Sequence, residues 1–186
     1  HVRIGIARAG NVIGGGDWAS DRIVPDCIRA WSKGIVVDVR KPKATRPWQH
    51  VLEPLSGYLL LGRSLYDAQE LHGQAFNFGP PANQDHSVEQ LINSMSEHWD
   101  NVRWNDVSFG SQFHEAGLLK LNCDKALLEL KWQPSLSFVE TVKMTIDWYK
   151  TFYGRNNGCM HSFTLSQIAE YSSLARMKEI EWAKQC

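Results

Sequence analysis

The N-terminal residues alternate between apolar and small or polar side chains, which is the pattern of a β-strand. Residues 2–7 carry Val2, Ile4 and Ile6 on one face, and a stretch rich in glycine, residues 9–20, follows them. Glycine, Asn and Asp tolerate the positive φ angles of tight loops. A strand of this kind belongs inside a larger sheet, so we expect the chain to be part of a longer protein.

Further along the chain, segments with helical spacing alternate with short strand-like segments. Asp21 is predicted to cap a helix that ends near Gly34, and strands are predicted at residues 35–39, 75–78 and 102–107. Helices are predicted from Glu53-Pro54, after Ser87, at residues 124–130 and after Ser137. This alternation is typical of the α/β class, but the strands are too few and too short to complete a sheet alone.

We divide the chain into residues 1–153, which carry the strand and helix alternation, and residues 154–186. The second part begins with a linker rich in Gly and Asn, residues 154–163, and continues as a helical tail. We find no chemical motif in this tail.

The composition excludes several classes of function. The chain has 186 residues with 20 Lys and Arg against 20 Asp and Glu, so no basic field would attract nucleic acid. No apolar run approaches the roughly 20 residues of a membrane-spanning helix. The four cysteines are far apart and form no C-x-x-C pair, which argues against a zinc ribbon or a disulfide framework. We expect a cytoplasmic protein without a metal site.

The glycine-rich stretch allows two interpretations. Residues 14–19 fit the G-x-G-x-x-A fingerprint of dinucleotide sites, but the predicted strand ends near Arg8 and Pro25 delays the helix. We favour a ligand-binding loop at the carboxyl end of a parallel strand, where Asn11 offers an amide donor. The alternative is that Asn11 only stabilises a turn.

Several polar residues near the ends of predicted elements are candidates for ligand binding. The guanidinium groups of Arg22, Arg40 and Arg46 suit the two charges of a diphosphate, although most arginines are solvated surface residues. Trp48 is predicted to be a core residue rather than a platform for sugar stacking. The pair His114-Glu115 could orient a sugar hydroxyl or assist proton transfer, or it could lie in an exposed polar loop.

Three longer runs of sequence occur together in an order that is specific. They are R-A-G-N-V-I-G-G-G-D-W at 8–18, D-R-I-V-P-D at 21–26 and R-P-W-Q-H-V-L-E-P-L-S-G-Y-L-L-L at 46–61. Shorter runs, N-F-G-P at 77–80, H-E-A at 114–116 and K-L-N-C-D-K-A at 120–126, accompany them. Over residues 2–153 the chain resembles the CDP-glucose 4,6-dehydratases, a family of extended short-chain dehydrogenases/reductases.

The resemblance implies an α/β fold that is the C-terminal part of such an enzyme, with the last Rossmann strands and a small substrate-binding subdomain. NAD would be bound mainly by an N-terminal half that precedes these residues. The family's catalytic Tyr-x-x-x-Lys pair belongs to that half, and no tyrosine of this chain has Lys four residues later. We therefore expect no catalytic residue in this chain and no turnover by it alone.

The resemblance also implies roles for individual residues. Asn11 and Arg46 would bind the diphosphate of the substrate, with Arg22 as a further candidate, and the backbone near Ala9 would contact the nicotinamide. Strand residues 36–39 and Arg40 would border the cytosine. The family more often has H-E-A-H-Y-L-K-L-D where this chain has Gly117, Leu118 and Asn122 in the corresponding run.

In the family, NAD takes a hydride from C4 of CDP-glucose, water leaves across C5 and C6, and the hydride returns to C6. The product is CDP-4-keto-6-deoxyglucose, used in bacterial deoxysugar and O-antigen synthesis. The resemblance implies a small-molecule nucleotide-sugar as ligand and a homo-oligomer for the intact protein. Two alternatives stay open: an epimerase or dehydratase of UDP- or dTDP-sugars, and a non-catalytic nucleotide-sugar-binding module.

Overall fold

The computed structural model describes residues 2–108, 119–154 and 159–184. Short strands and longer helices alternate in these residues, which agrees with the predicted α/β class. The strands are β1 (Ile6–Ala9), β2 (Asn11–Ile13), β3 (Val37–Val39), β4 (Thr45–Arg46), β5 (Trp48–His50), β6 (Ala75–Phe78), β7 (His86–Ser87) and β8 (Trp104–Asp106). The helices are α1 (Ile23–Trp31), α2 (Leu52–Asp67), α3 (Val88–Ser96), α4 (Asp124–Leu130), α5 (Phe138–Tyr153) and α6 (Met160–Met177).

The strands pair two by two. Three pairs are parallel, β1 with β6, β2 with β5 and β3 with β8, and β4 is antiparallel to β7. The side-chain amide of Gln49 on β5 donates to the carbonyl oxygen of Phe78 on β6 at 2.9 Å. This hydrogen bond ties the first two strand pairs together.

The chain changes its strand partner at Gly10, the single residue between β1 and β2. A Cβ atom at this position would lie 2.9 Å from Cγ and 3.0 Å from the carbonyl oxygen of Pro47. Only glycine therefore lets the backbone pass this close to the segment between β4 and β5. Because β1 and β2 pair with different strands, a crevice opens where they diverge, and such crevices are where open α/β sheets bind ligands.

The helices are held by caps and by apolar faces that the sequence pattern indicates. Ser87 and Ser137 each form a capping box, with Gln90 and Glu140 respectively, at the starts of α3 and α5. The largest core cluster joins α1, α3 and α5 to strands β2, β3 and β5, and its central side chains are fully buried: Cys27, Ile28, Leu91, Ile92, Val142, Ile146 and Tyr149. This core forms one side of the crevice.

Several predicted element boundaries were wrong. The first strand begins at Ile6 rather than at residue 2, and a strand that we did not predict, β2, lies inside the glycine-rich stretch. Asp21 does not cap α1; its φ of 60° places it in a left-handed turn, and Arg22 is the N-cap residue. Helix α6 begins at Met160, so it takes in part of the predicted linker.

The apolar residues of the first segment are largely exposed. Val2 is 83% exposed, Ile4 58% and Ile6 47%. In the part of the chain that the structure describes, no helix combines the length and the apolar character needed to cross a membrane.

Candidate functional site

A cavity of about 770 Å³ opens where the carboxyl ends of β1, β2 and β3 meet the start of α1. Its wall includes residues 8–14, 21–26 and 37–41. A volume of this size is typical of sites for small organic ligands.

The predicted site residues that the structure describes all line this cavity. Each one lies at the end of an element: Ala9 ends β1, Asn11 begins β2, Arg22 precedes α1, Arg40 follows β3 and Arg46 ends β4. The structure therefore brings one amide and three guanidinium groups to the wall of one cavity, and their roles in binding stay predictions. Asn11 lies in a strand, paired with Trp48, rather than in the turn of the alternative interpretation.

Arg46 is the most deeply placed of these cations. It is only 8% exposed, and its Nη1 donates to the carbonyl oxygen of Thr45 at 2.8 Å. The pairing of Arg46 with His86 across β4 and β7 fixes its backbone. A planar guanidinium group at a cavity wall can donate hydrogen bonds to the oxygens of an anionic ligand.

Arg22 and Arg40 are more exposed than Arg46. The side chain of Arg22 is 62% exposed, and its Nη1 lies 3.8 Å from the Asp17 carboxylate. An exposed pair at this distance contributes little stability, so Arg22 can exchange Asp17 for a stronger anion at low cost.

Further charged residues line the cavity, and of these Asp38, in residues 36–39, belongs to a segment that we predicted to border the cytosine. The cations are Arg8 and Lys41, and the carboxylates are Asp17, Asp21, Asp26 and Asp38. Carboxylates accept hydrogen bonds from hydroxyl groups, so the cavity offers partners for both a diphosphate and a sugar. Asp17 lies within the glycine-rich stretch and Asp21 directly follows it, and this position was the signal that could have identified them.

Apolar side chains form another part of the cavity wall. Leu119 and Leu121 line the cavity, and Leu121 lies over two glycines at the ends of paired strands. A Cβ atom at Gly10 would lie 3.1 Å from Leu121 Cδ1, and one at Gly79 would lie 3.2 Å from it. The Asn77 amide donates to the carbonyl oxygen of Asn122 at 3.0 Å and holds this segment in place. The sequence did not indicate this wall, because its formation depends on a contact between distant segments.

The glycine-rich loop is not a phosphate cradle of the dinucleotide type. The argument that the strand ends well before Gly14 was wrong, because β2 ends at Ile13, directly before Gly14. The argument that the helix begins too late for a tight turn holds, since α1 begins only at Ile23. A Cβ atom at Gly15 would lie 1.9 Å from Cγ of Trp148. The space over this glycine is therefore filled by an indole ring.

Of the remaining residues singled out in the sequence, some lie outside the described part of the chain and one is a core residue. His114, Glu115, Gly117 and Leu118 lie outside the described residues. Trp48 is a core residue, as predicted: it is 7% exposed, and its indole nitrogen donates to the carbonyl oxygen of His86 at 3.0 Å. Among the described residues no group of three or more His, Cys, Asp or Glu side chains could hold a metal ion.

Two buried titratable groups lie just beyond Arg46 in the sequence. Burial lowers the pKa of His50 to about 4, so this side chain is neutral at pH 7. Burial raises the pKa of Glu53 to about 7, while hydrogen bonds to its carboxylate oppose that rise. The amides of Ser135 and Leu136 donate to Glu53 Oε1 at 2.8 and 2.6 Å, and the Tyr171 hydroxyl donates to Oε2 at 2.9 Å. Glu53 therefore fastens α6 and the segment before α5 to α2.

Comparisons with known proteins agree with this geometry. No family model matches the chain. It is 41% identical over 152 residues to the CDP-glucose 4,6-dehydratase of Salmonella typhimurium, a match that covers 81% of this chain and 42% of that protein. Over these residues the chain is similar to that dehydratase. It spans less than half the length of that relative.

Solved structures of the extended short-chain dehydrogenases/reductases confirm the fold. UDP-glucuronic acid 4-epimerase from Bacillus cereus, solved with UDP-glucuronic acid and NAD, superposes with a TM-score of 0.67 at 18% identity, over 82% of this chain and 47% of that one. UDP-glucose 4-epimerase from Stenotrophomonas maltophila, with bound NAD, gives 0.69 at 18% identity, over 81% and 48%. RMD from Pseudomonas aeruginosa, complexed with NADPH, gives 0.64 at 16% identity, over 80% and 49%. The predicted fold class, the C-terminal part of an extended short-chain dehydrogenase/reductase, is confirmed.

Proposed function

We propose that this chain is the nucleotide-sugar-binding portion of an NAD-dependent CDP-glucose 4,6-dehydratase. The observation that carries the proposal is the meeting of Asn11, Arg22, Arg40 and Arg46 on the wall of one cavity at the carboxyl ends of parallel strands. The 41% identity to the Salmonella typhimurium enzyme supports CDP-glucose as the ligand.

The diphosphate would lie between Asn11 and Arg46, with Arg22 at the rim. An amide and two guanidinium groups can donate several charge-assisted hydrogen bonds to phosphate oxygens, and these are stronger than bonds between neutral groups. The buried position of Arg46 supports its role as the fixed partner, because a rigid donor loses little freedom on binding.

The base and the sugar would occupy opposite ends of the cavity. Strand β3 and Arg40 would border the cytosine, as the resemblance implies. The apolar surfaces of Leu119 and Leu121 and the carboxylates of the loop would contact the sugar. His114 and Glu115 are proposed as further sugar-binding residues on the basis of the sequence alone.

In the whole protein NAD would accept the C4 hydride of the sugar and return it at C6 after water is lost across C5 and C6. Ala9 and Gly10 would contact the edge of the nicotinamide ring. Both lie on the cavity wall, and neither has a side chain large enough to keep the ring away. The remaining contacts with NAD, and the catalytic Tyr-x-x-x-Lys pair, would come from residues that precede this chain. We propose a homo-oligomeric, cytoplasmic enzyme of deoxysugar synthesis.

A stand-alone binding module is the weaker alternative. The exposed apolar side chains of Val2, Ile4 and Ile6 argue against it, because independent domains generally bury such residues.

The test is calorimetric titration of the full chain with CDP-glucose, UDP-glucose and dTDP-glucose. We expect binding of CDP-glucose at least tenfold tighter than binding of the other two. Equal affinities would favour a dehydratase or epimerase with another base, and no binding of any of them would refute the proposed function for this chain.

A further inference from the structure

The cavity loop is held from behind by side chains of two helices that play no part in the proposed ligand contacts. Three consecutive backbone carbonyl groups, those of Asp17, Trp18 and Ala19, each accept a hydrogen bond from a side chain. The Tyr149 hydroxyl on α5 donates to the carbonyl oxygen of Asp17 at 2.7 Å. From α1, Arg29 donates to Trp18 at 2.6 Å and to Ala19 at 3.3 Å.

Aromatic packing holds the same stretch of the loop. The Trp18 ring meets the Tyr149 ring edge-on, with centroids 5.4 Å apart, and lies 5.0 Å from the ring of Phe152. The neighbouring Trp148 covers Gly15 so closely that no side chain fits there. Tyr149 itself is fully buried, so its ring and hydroxyl have a fixed position.

The opposite face of this loop is the cavity wall. Asp17, Asp21 and Arg22 line the cavity, and Asp17 lies beside Arg22 on the rim. The hydrogen bond to the Asp17 carbonyl therefore restrains a residue that itself lines the cavity next to Arg22. A loop that is already ordered binds its ligand without the entropic cost of ordering it.

We propose that Tyr149 is a positioning residue for the nucleotide-sugar site, holding residues 14–22 so that Arg22 meets the diphosphate. This proposal rests on the proposed function. Arg29 performs the same task from α1, and neither residue contacts the ligand.

The test compares Tyr149→Phe with Tyr153→Phe in the full chain. Tyr153 belongs to the same aromatic cluster, with its ring 6.1 Å from that of Trp18, so its variant is a matched control for loss of a hydroxyl. Calorimetry should show CDP-glucose binding about five- to tenfold weaker in Tyr149→Phe, the fold-change expected for loss of one hydrogen bond. Binding of cytidine, which has no diphosphate, should be unchanged, and Tyr153→Phe should bind both ligands as the wild type does.

A double variant distinguishes positioning from general loosening. In an Arg22→Ala background, Tyr149→Phe should cause no further loss of CDP-glucose affinity, since the two residues act in series. An additive loss, or an equal loss for cytidine, would overturn the proposal. If Tyr149→Phe does not fold, Arg29→Gln, which acts on the loop from the other helix, is expected to give the same ligand-specific pattern.

Hydrogen exchange without ligand tests the holding of the loop directly. Amides of residues 14–22 should lose protection in Tyr149→Phe and keep it in Tyr153→Phe; equal protection in the two variants would overturn the proposal. A wild-type chain that does not bind CDP-glucose would refute the proposed function. If the wild-type chain binds CDP-glucose but no more tightly than Tyr149→Phe does, only the positioning role of Tyr149 would be refuted.

Discussion

Arg46 and Glu53 are both buried charged residues in one short run of sequence, yet their surroundings differ. Arg46 is 8% exposed on the wall of the cavity, and Glu53 is 1% exposed in the interior. Glu53 accepts hydrogen bonds from two backbone amides and from Tyr171, which come from distant segments. Arg46 faces a space large enough for a ligand.

The difference separates a structural charge from a binding charge. A buried carboxylate that accepts three hydrogen bonds holds segments of the chain together, and adding a ligand would break those bonds. A buried cation on the wall of an open cavity can also contact an anion that enters the cavity. Burial alone does not distinguish a structural charge from a binding charge. The presence of a cavity next to the charged group does.

Removal of the Glu53 carboxylate should have the largest effect. Glu53→Ala leaves the amides of Ser135 and Leu136 without their acceptor, and each buried unsatisfied amide costs about 1 to 3 kcal/mol. We expect a loss of about 3 to 5 kcal/mol in the free energy of unfolding, measured by urea denaturation.

The matched control is Glu129→Ala, which removes an exposed helical carboxylate. It should change the unfolding free energy by less than about 0.5 kcal/mol. A Glu53→Ala chain as stable as Glu129→Ala would show that Glu53 does not fasten α6.

The pH dependence of stability should reveal Glu53 and His50 as opposing groups. Folding raises the pKa of Glu53 from 4.5 to about 7, so its contribution is present below pH 4.5 and is lost as the pH rises to 7. Folding lowers the pKa of His50 from 6.5 to about 4, so its contribution is present above pH 6.5 and is lost as the pH falls.

Glu53→Gln should remove the first dependence and leave the second. Between pH 5 and pH 7 the stability of this variant should rise relative to that of the wild type, by up to about 3 kcal/mol. Urea midpoints at the two pH values measure the difference. Parallel pH curves for the two proteins would mean that Glu53 titrates as an ordinary exposed carboxyl group.

Arg46→Ala should affect binding. Loss of a charged donor at the diphosphate should weaken CDP-glucose binding by about 1.5 to 3 kcal/mol, measured by calorimetry. Arg63→Ala, at an exposed position on α2, is the control and should bind as the wild type does. Unchanged affinity in a folded Arg46→Ala chain would remove Arg46 from the site.

Arg40→Ala should have the smallest effect. This side chain is exposed beside β3, where solvent screens its charge, so we expect a loss of binding below about 1 kcal/mol. A loss as large as that of Arg46→Ala would mean that exposure does not separate the two arginines.

The site residues chosen from the sequence lie together in the structure, but the local structure around them was predicted less well. Asn11, Arg22, Arg40 and Arg46 line one cavity, and each of them lies at or next to the end of a strand or helix. Reasoning from the sequence missed β2, since Gly10 and Gly14 on either side of it favour a loop in isolation. Residues 11–13 form a strand because they pair with β5, although the flanking glycines disfavour one.

Contacts between distant segments were beyond sequence reasoning. Nothing local indicates that Leu121 would cover Gly10 and Gly79, or that Tyr149 would donate to Asp17. Each contact depends on packing that only the complete fold supplies. The Glu53–Tyr171 hydrogen bond is another example, and it joins the tail to the body of the chain.

The most direct test of the central claim is a titration of the full, isotopically labelled chain with CDP-glucose, followed by backbone amide NMR. We expect saturable shifts in residues 9–22 and 37–46 and in the sugar-contact residues 114, 115, 119 and 121, with no shifts around Glu53 and Tyr171. Shifts that avoid Asn11 and Arg46, or no shifts at saturating ligand, would contradict it.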